Sequence, residues 1–303
     1  MKMKWKVISF GLSTLIFLGG CTENMNANDE NDQQNSGTTF ASVQDYTGFE
    51  YELDNGEETD KIAEENQEEI DVAVKEFFKK EYNTDVTVNN TIGAENGATV
   101  IVQSVNQPIF NTYAVIPINS NEKTIDSTGV WTQEGQVEQA IRSGMYALIY
   151  EDELNVLNQY IDELVNDNPV VGIRDEVVET VRGNGFNTNY YYISTSFDAF
   201  EGIDELYNEN PNRQKDEWAA IFKDEEISPE LVDITIHLFM KESNKEPDSK
   251  LFEQIVTDIE KMEGLPPASY SIYLHDNRIG EASASGSKEN SLERADPEKI
   301  IKP

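Results

Sequence analysis

Apolar residues recur at helical spacing from Ile62 to Phe78, and from Val86 onward they alternate with polar ones. A chain that changes period in this way has to pack a helix against a sheet, which excludes a pure helical bundle and a pure barrel. The spacing predicts one helix over about residues 57–82, with Ile62, Asn66, Ile70, Val74, Phe77 and Phe78 on one face and acids on the other. Residues 85–92 read as a strand, Asn96-Gly97 as a hairpin turn and 99–105 as the return strand. "FNTYAVIPI", 110–118, reads as a third strand whose end Pro117 places at a sheet edge. Helix and three-stranded meander make one α+β lobe over residues 44–120.

The polar run 119–129 is the best internal boundary, and a second α+β lobe is predicted over 130–280. Its helices are expected at 137–148, at 154–165 with Asn168-Pro169 as terminator, at 177–181, at 197–209 and at 213–223. Strands are expected at 190–194, 232–240 and 270–275. Between the last two lies a helix, 248–263, closed by Gly264 and Pro266-Pro267. Residues 281–303 read as a loose polar tail. The fold class is therefore α+β, with helices packed on a mainly antiparallel sheet.

The first twenty residues differ from the rest. Lys2, Lys4 and Lys6 precede an apolar stretch from Val7 to Leu18, the pattern of a secretory signal peptide and too short to span a bilayer. Leu18-Gly19-Gly20-Cys21 resembles the lipobox of bacterial lipoproteins. That resemblance implies cleavage between Gly20 and Cys21, and a thioether-linked diacylglycerol on Cys21. The alternatives are a buried structural cysteine and an ordinary secretory leader with a chance cysteine. Cys21 is the single cysteine, so no intrachain disulfide is available. Residues 22–43 are rich in Asn, Gln, Ser and acids and contain no Lys or Arg, so 21–43 reads as a lipidated tether with a reach of roughly 25 Å. The expected location is the outer face of the cytoplasmic membrane, with the membrane itself engaged through Cys21.

Acids outnumber bases 58 to 23, a formal net charge of -35, which repels nucleic-acid phosphates and excludes a nucleic-acid partner. The two histidines, His237 and His275, fall on predicted strands near Asp233 and Asp276. They could ligate a metal if adjacent strands brought them together, but His275-Asp276 also reads simply as the start of a turn. "DNGEETD", 54–60, places oxygen ligands close together without the regular calcium-loop spacing. "NYYYIST", 189–195, is a candidate aromatic platform, and Trp131 is a further aromatic. Ser143 lies on a predicted helix, away from any strand-to-helix elbow. No phosphate loop or dinucleotide fingerprint occurs. No catalytic residue, metal or cofactor is assigned, although paired carboxylates of the kind that cleave glycosides remain open.

Six separated blocks, "QDYTGFE", "EGQVEQAI", "NDNPVVG", "IEKMEGLPP", "YLHDNRIG" and "GSKENSLER", together resemble the Gram-positive lipoprotein family catalogued as domain of unknown function 1672. The resemblance covers about residues 44–302 and implies a lipid-anchored envelope protein without an assigned activity. The expected role is a non-catalytic binding module whose partner is an envelope protein or a cell-wall component. The alternatives are an envelope hydrolase using Asp or Glu and a lipoprotein that binds a small ligand or cation.

Overall fold

The first strand, β1 (Phe40–Ser42), pairs antiparallel with residues 278–280, close to the other end of the chain. The computed structural model describes residues 39–200, 202–223 and 227–303. The expected single helix is two, α1 (Glu57–Glu65) and α2 (Gln67–Tyr82). Asn66 separates them at φ -117° and ψ 17°, and its Nδ2 donates to the Ile62 carbonyl at 2.7 Å. A short amide that bonds its own backbone competes with the helix ladder, which is why the apolar stripe continues while the helix does not. Asn83 then ends α2 in the left-handed region.

β2 (Val86–Ala94), β3 (Gly97–Ser104), β4 (Asn111–Asn119) and β5 (Thr124–Ile125) form an antiparallel sheet in sequence order. Asn96 takes the positive φ that the hairpin requires. The edge expected at Pro117 is not there: β5 pairs with Ile118 and Asn119, and the Pro117 carbonyl accepts the Asp126 N–H at 2.9 Å. The ring removes only a donor, so the acceptor still recruits the next segment.

α1 lies on β2 through two glycines. Gly93 donates to Asp60 Oδ1 at 2.8 Å, and a Cβ on Gly93 would lie 2.3 Å from both the Asp60 nitrogen and the Gly56 carbonyl oxygen. Both neighbours are backbone and cannot rotate away. Gly93→Ala is therefore expected to cost about 1–3 kcal/mol in urea unfolding. Wild-type stability would mean that α1 is free to shift on the sheet.

The chain continues through α3 (Gln136–Ile149), α4 (Glu151–Asp167), β6 (Val170–Val171), α5 (Asp175–Thr180), β7 (Phe186–Asn187) and β8 (Tyr191–Thr195). Then come α6 (Ile203–Glu209), α7 (Lys215–Phe222), β9 (Val232–Met240), α8 (Ser249–Lys261) and β10 (Ala268–His275). β11 (Arg278–Gly280), β12 (Leu292–Arg294) and β13 (Ile300–Lys302) complete the order. α6 starts later than its apolar pattern suggests, after Gly202 at φ +82°.

The larger sheet runs β12-β10-β9-β8-β7, with β13 also on β10 and β6 also on β9. β9 and β10 are parallel, a pairing that needs a crossover, and α8 supplies it. Asp248 caps α8 by accepting from the Lys250 and Leu251 N–H groups at 2.9 and 3.2 Å. Leu251, Ile255 and Ile259 form its buried stripe. The expected loose tail is a correction: β12 and β13 both pair antiparallel with β10, and Lys299 reaches Asp233 at 2.7 Å. Strands of three residues are too short to show a periodicity in the sequence.

One core joins both sheets. Val100, Val102 and Ile116 from the smaller sheet share it with Ile234, Ile236 and Ile272 from the larger, and with Phe78, Tyr146 and Trp218 from the helices. A smaller cluster of Val43, Tyr46, Ile173, Val177, Phe239 and Ile279 seals the end where β1 meets β11.

Candidate functional site

Strand alternation sends Ile234, Ile236, Leu238, Ile272 and Leu274 into the core, so Asp233, His237, Tyr273 and His275 share the opposite face. In the parallel register Tyr273 lies beside His237, which brings His275 within reach one pleat further along. His237 Nδ1 and His275 Nε2 are 3.0 Å apart, and His275 Nδ1 is 2.8 Å from Ser291 Oγ. The rings stand side by side across three strands. His237 stacks on Tyr273 at 4.9 Å and 6°, and on Tyr192 of β8 at 5.8 Å and 19°. The Arg182 guanidinium lies over Tyr192, 5.6 Å from the ring centroid.

The electrostatics follow from burial. His237 is held well below its ordinary value by desolvation first, then by Arg182 and His275. His275, fully buried, is pushed down to about 4 by desolvation and Lys288, against the opposing pull of Asp276. Both rings are neutral at neutral pH. Ser291, His275 and His237 are thus aligned as a nucleophile, a base and an orienting group would be. A base near 4 is too weak to take a serine proton at neutral pH, so the line fixes orientation without activating Ser291. Ser291 Oγ also accepts the Lys288 N–H at 3.0 Å.

Beside it, the buried Asp276 carboxylate receives Lys288 Nζ at 2.8 Å, the Arg278 backbone N–H at 2.9 Å, and Arg278 and Asn290 side chains at 3.2 Å each. Burial works to raise its pKa, but these bonds outweigh it and hold the carboxyl below its ordinary value. Gly286 permits the approach of this loop, since a Cβ there would lie 2.4 Å from Phe239 Cε1.

The other sequence candidates fall elsewhere. Tyr191 points into the core and donates to Asn158 Oδ1 at 2.9 Å, while Tyr192 faces outward. His237 and Arg182 both lie against the Tyr192 ring, so "NYYYIST" is no open stacking platform. Trp131, half exposed, belongs to the other sheet through its bridge to Val115. Ser143 is buried in α3 and donates to the Gln139 carbonyl at 2.9 Å. Residues 54–60, a turn running into the first turn of α1, border an open groove of about 910 Å³, lined by Glu52, Asp54, Glu57 and Glu58 among others. Among the described residues no group of three or more His, Cys, Asp or Glu is arranged to hold a metal ion. Gly20 and Cys21, and with them the leader and most of the tether, lie outside the described residues. No helix among the described residues is long and apolar enough to cross a membrane. Arg182 and Ser291 were missed from sequence. Their signal was indirect: Ser291 lies in "GSKENSLER", and His275 in "YLHDNRIG", blocks that the fold brings together.

The family described as "Protein of unknown function (DUF1672)" matches residues 33–302. The crystal structure of a DUF1672 family protein from Staphylococcus aureus subsp. aureus Mu50 superposes with a TM-score of 0.68 at 15% identity, covering 87% of this chain and 98% of that one. A DUF5037 family protein from Ruminococcus gnavus ATCC 29149 reaches a TM-score of only 0.27 at 13% identity, over 69% of this chain and 76% of that one. No curated protein matches. With the family match spanning nearly the whole sequence and a shared fold beneath it, the chain belongs to the DUF1672 family of proteins of unknown function.

Proposed function

We propose that the protein is anchored by a lipid on Cys21 to the outer face of the cytoplasmic membrane, where it acts as a non-catalytic binding module for an envelope protein or a wall component. The observation that supports the binding role is the outward face of the larger sheet. It presents Tyr192, His237 and Tyr273 edge-on, beside Arg182, with no activated nucleophile among the described residues. Edges that carry hydroxyl, imidazole and guanidinium groups suit recognition, and neutral histidines do not suit proton transfer at neutral pH.

The test has two arms. Cys21→Ser should abolish fatty-acid labelling and release the protein from membranes; persistence of both would remove the anchor. Crosslinking in intact cells should capture a partner at the Tyr192–Tyr273 face with the wild type. Saturable product release from wall material or model esters, lost in Ser291→Ala or in an Asp or Glu variant, would replace binding by hydrolysis.

A further inference from the structure

We propose that Arg182 and the Nε2–H of His237 form a receiving site for a single carboxylate, resting on the binding-module reading and naming the ligand chemistry of that face. The first observation is a missing partner. The chain has six arginines, and five of them meet a carboxylate within 4.0 Å: Arg142 with Asp204, Arg174 with Glu176, Arg213 with Glu209, Arg278 with Asp276 and Arg294 with Glu260. Among the described residues Arg182 has no ion pair and no hydrogen bond, only the ring of Tyr192 beneath it. In a chain with 58 acids, a half-buried guanidinium without a carboxylate is the exception. Stacking on an aromatic ring leaves the planar N–H fork free to bind in its own plane.

The second observation is the direction of the proton line. Ser291 Oγ takes the Lys288 N–H, and its own hydroxyl hydrogen has two acceptors in range, His275 Nδ1 at 2.8 Å and the Gly286 carbonyl at 3.5 Å. The shorter bond takes the hydrogen. His275 then carries its proton on Nε2 and donates it to His237 Nδ1 at 3.0 Å. His237 in turn carries its proton on Nε2, which has no hydrogen-bond partner among the described residues, and His237 and Arg182 are each only half-buried. The Arg182 guanidinium and the His237 ring both lie against Tyr192, 5.6 and 5.8 Å from its ring centroid, so the two donors belong to one neighbourhood.

The third observation sets the ligand's charge. Lys288 is committed to Asp276 at 2.8 Å and Lys299 to Asp233 at 2.7 Å, so among the described residues Arg182 is the one uncommitted cation of the cluster. One guanidinium fork plus one neutral N–H matches a carboxylate, whereas a phosphate dianion would lack a second cation and face a net charge of -35.

The experiment is an NMR titration of the full chain in detergent, with ring-labelled histidine; the two histidines give two resolvable signals. The probes are acetate, N-acetylalanine as a peptide carboxyl terminus, N-acetylalaninamide as its neutral counterpart, and inorganic phosphate. A saturable shift of the His237 signal is expected with both carboxylates, larger in affinity for N-acetylalanine if the source is a peptide terminus. None is expected with the amide. Arg182→Gln should weaken carboxylate binding about tenfold or more, and Arg182→Lys, which keeps the charge and loses the fork, by less. No saturable shift, equal affinity in Arg182→Gln with an otherwise unchanged spectrum, or tighter binding of phosphate would each overturn the site. A partner still crosslinked at this face by the Arg182→Gln variant would overturn the carboxylate site while leaving the binding-module reading in place.

Discussion

As the pH falls from 6.5 towards 4 the protein loses stability, and His275 alone accounts for about 3 kcal/mol of the loss. The sign follows from the protons. Its folded-state pKa is near 4 and its ordinary value is 6.5, so between those limits the unfolded chain binds a proton that the folded chain refuses. Stability is therefore full above 6.5 and drains away as acid is added. His237, depressed by burial, Arg182 and His275, pulls in the same direction. In the upper half of this window ordinary carboxylates remain ionised, so relief of acidic self-repulsion does not mask the slope. Urea unfolding at a series of pH values measures it. A flat profile between pH 6.5 and 5, or a native-state histidine titrating near 6.5 by NMR, would show that the pair is not held neutral.

Asp276→Ala should be the more damaging single substitution, at about 3–5 kcal/mol. It leaves the Lys288 ammonium, largely buried, without its carboxylate, and strips the acceptor from Arg278 and Asn290. Removing both charges in Asp276→Ala/Lys288→Met should recover part of the loss, because an unpaired buried ion costs more than an apolar replacement of the pair. If the double variant is as unstable as the two single losses added together, the groups are not coupled. The acid limb of this pair is separate from that of the histidines. Asp276 is depressed below 3.8, so its contribution is present above that value and disappears only as the pH drops through the lower folded-state pKa.

The strongly periodic elements were legible in the sequence: β2 through β4 with the Asn96-Gly97 turn, β9 from its β-branched run, and α8 from its stripe and its Gly-Pro ending. What was lost depended on competition or distance. Asn66 looks like one more residue of a helical face, yet its amide bonds Ile62 and divides the helix. β12 and β13 exist because β10 offers an unpaired edge, which their own residues do not announce. The two histidines could be placed on strands, but their meeting depends on a parallel register between residues separated by α8, and the helical crossover alone does not specify that register. Arg182 was invisible because its distinguishing property is the absence of a carboxylate partner among the described residues, which leaves no mark on the sequence around it.

β1 closes the molecule. Ser42 pairs with Arg278, the Tyr46 hydroxyl bonds the Glu281 carbonyl across a sequence separation of 235, and the Asn277 amide bonds Gln44 across 233. Joining segments so remote adds little equilibrium cost, since loop-closure entropy grows only logarithmically with length. Kinetically the effect is larger: contacts of this span wait until the intervening chain has organised. During vectorial synthesis from the N-terminus, the first strand emerges before its template exists, and it must remain unpaired until residues 278–280 arrive. Completion of the fold is thus timed by the last tenth of the chain, and truncation before β11 would release the opposite end as well.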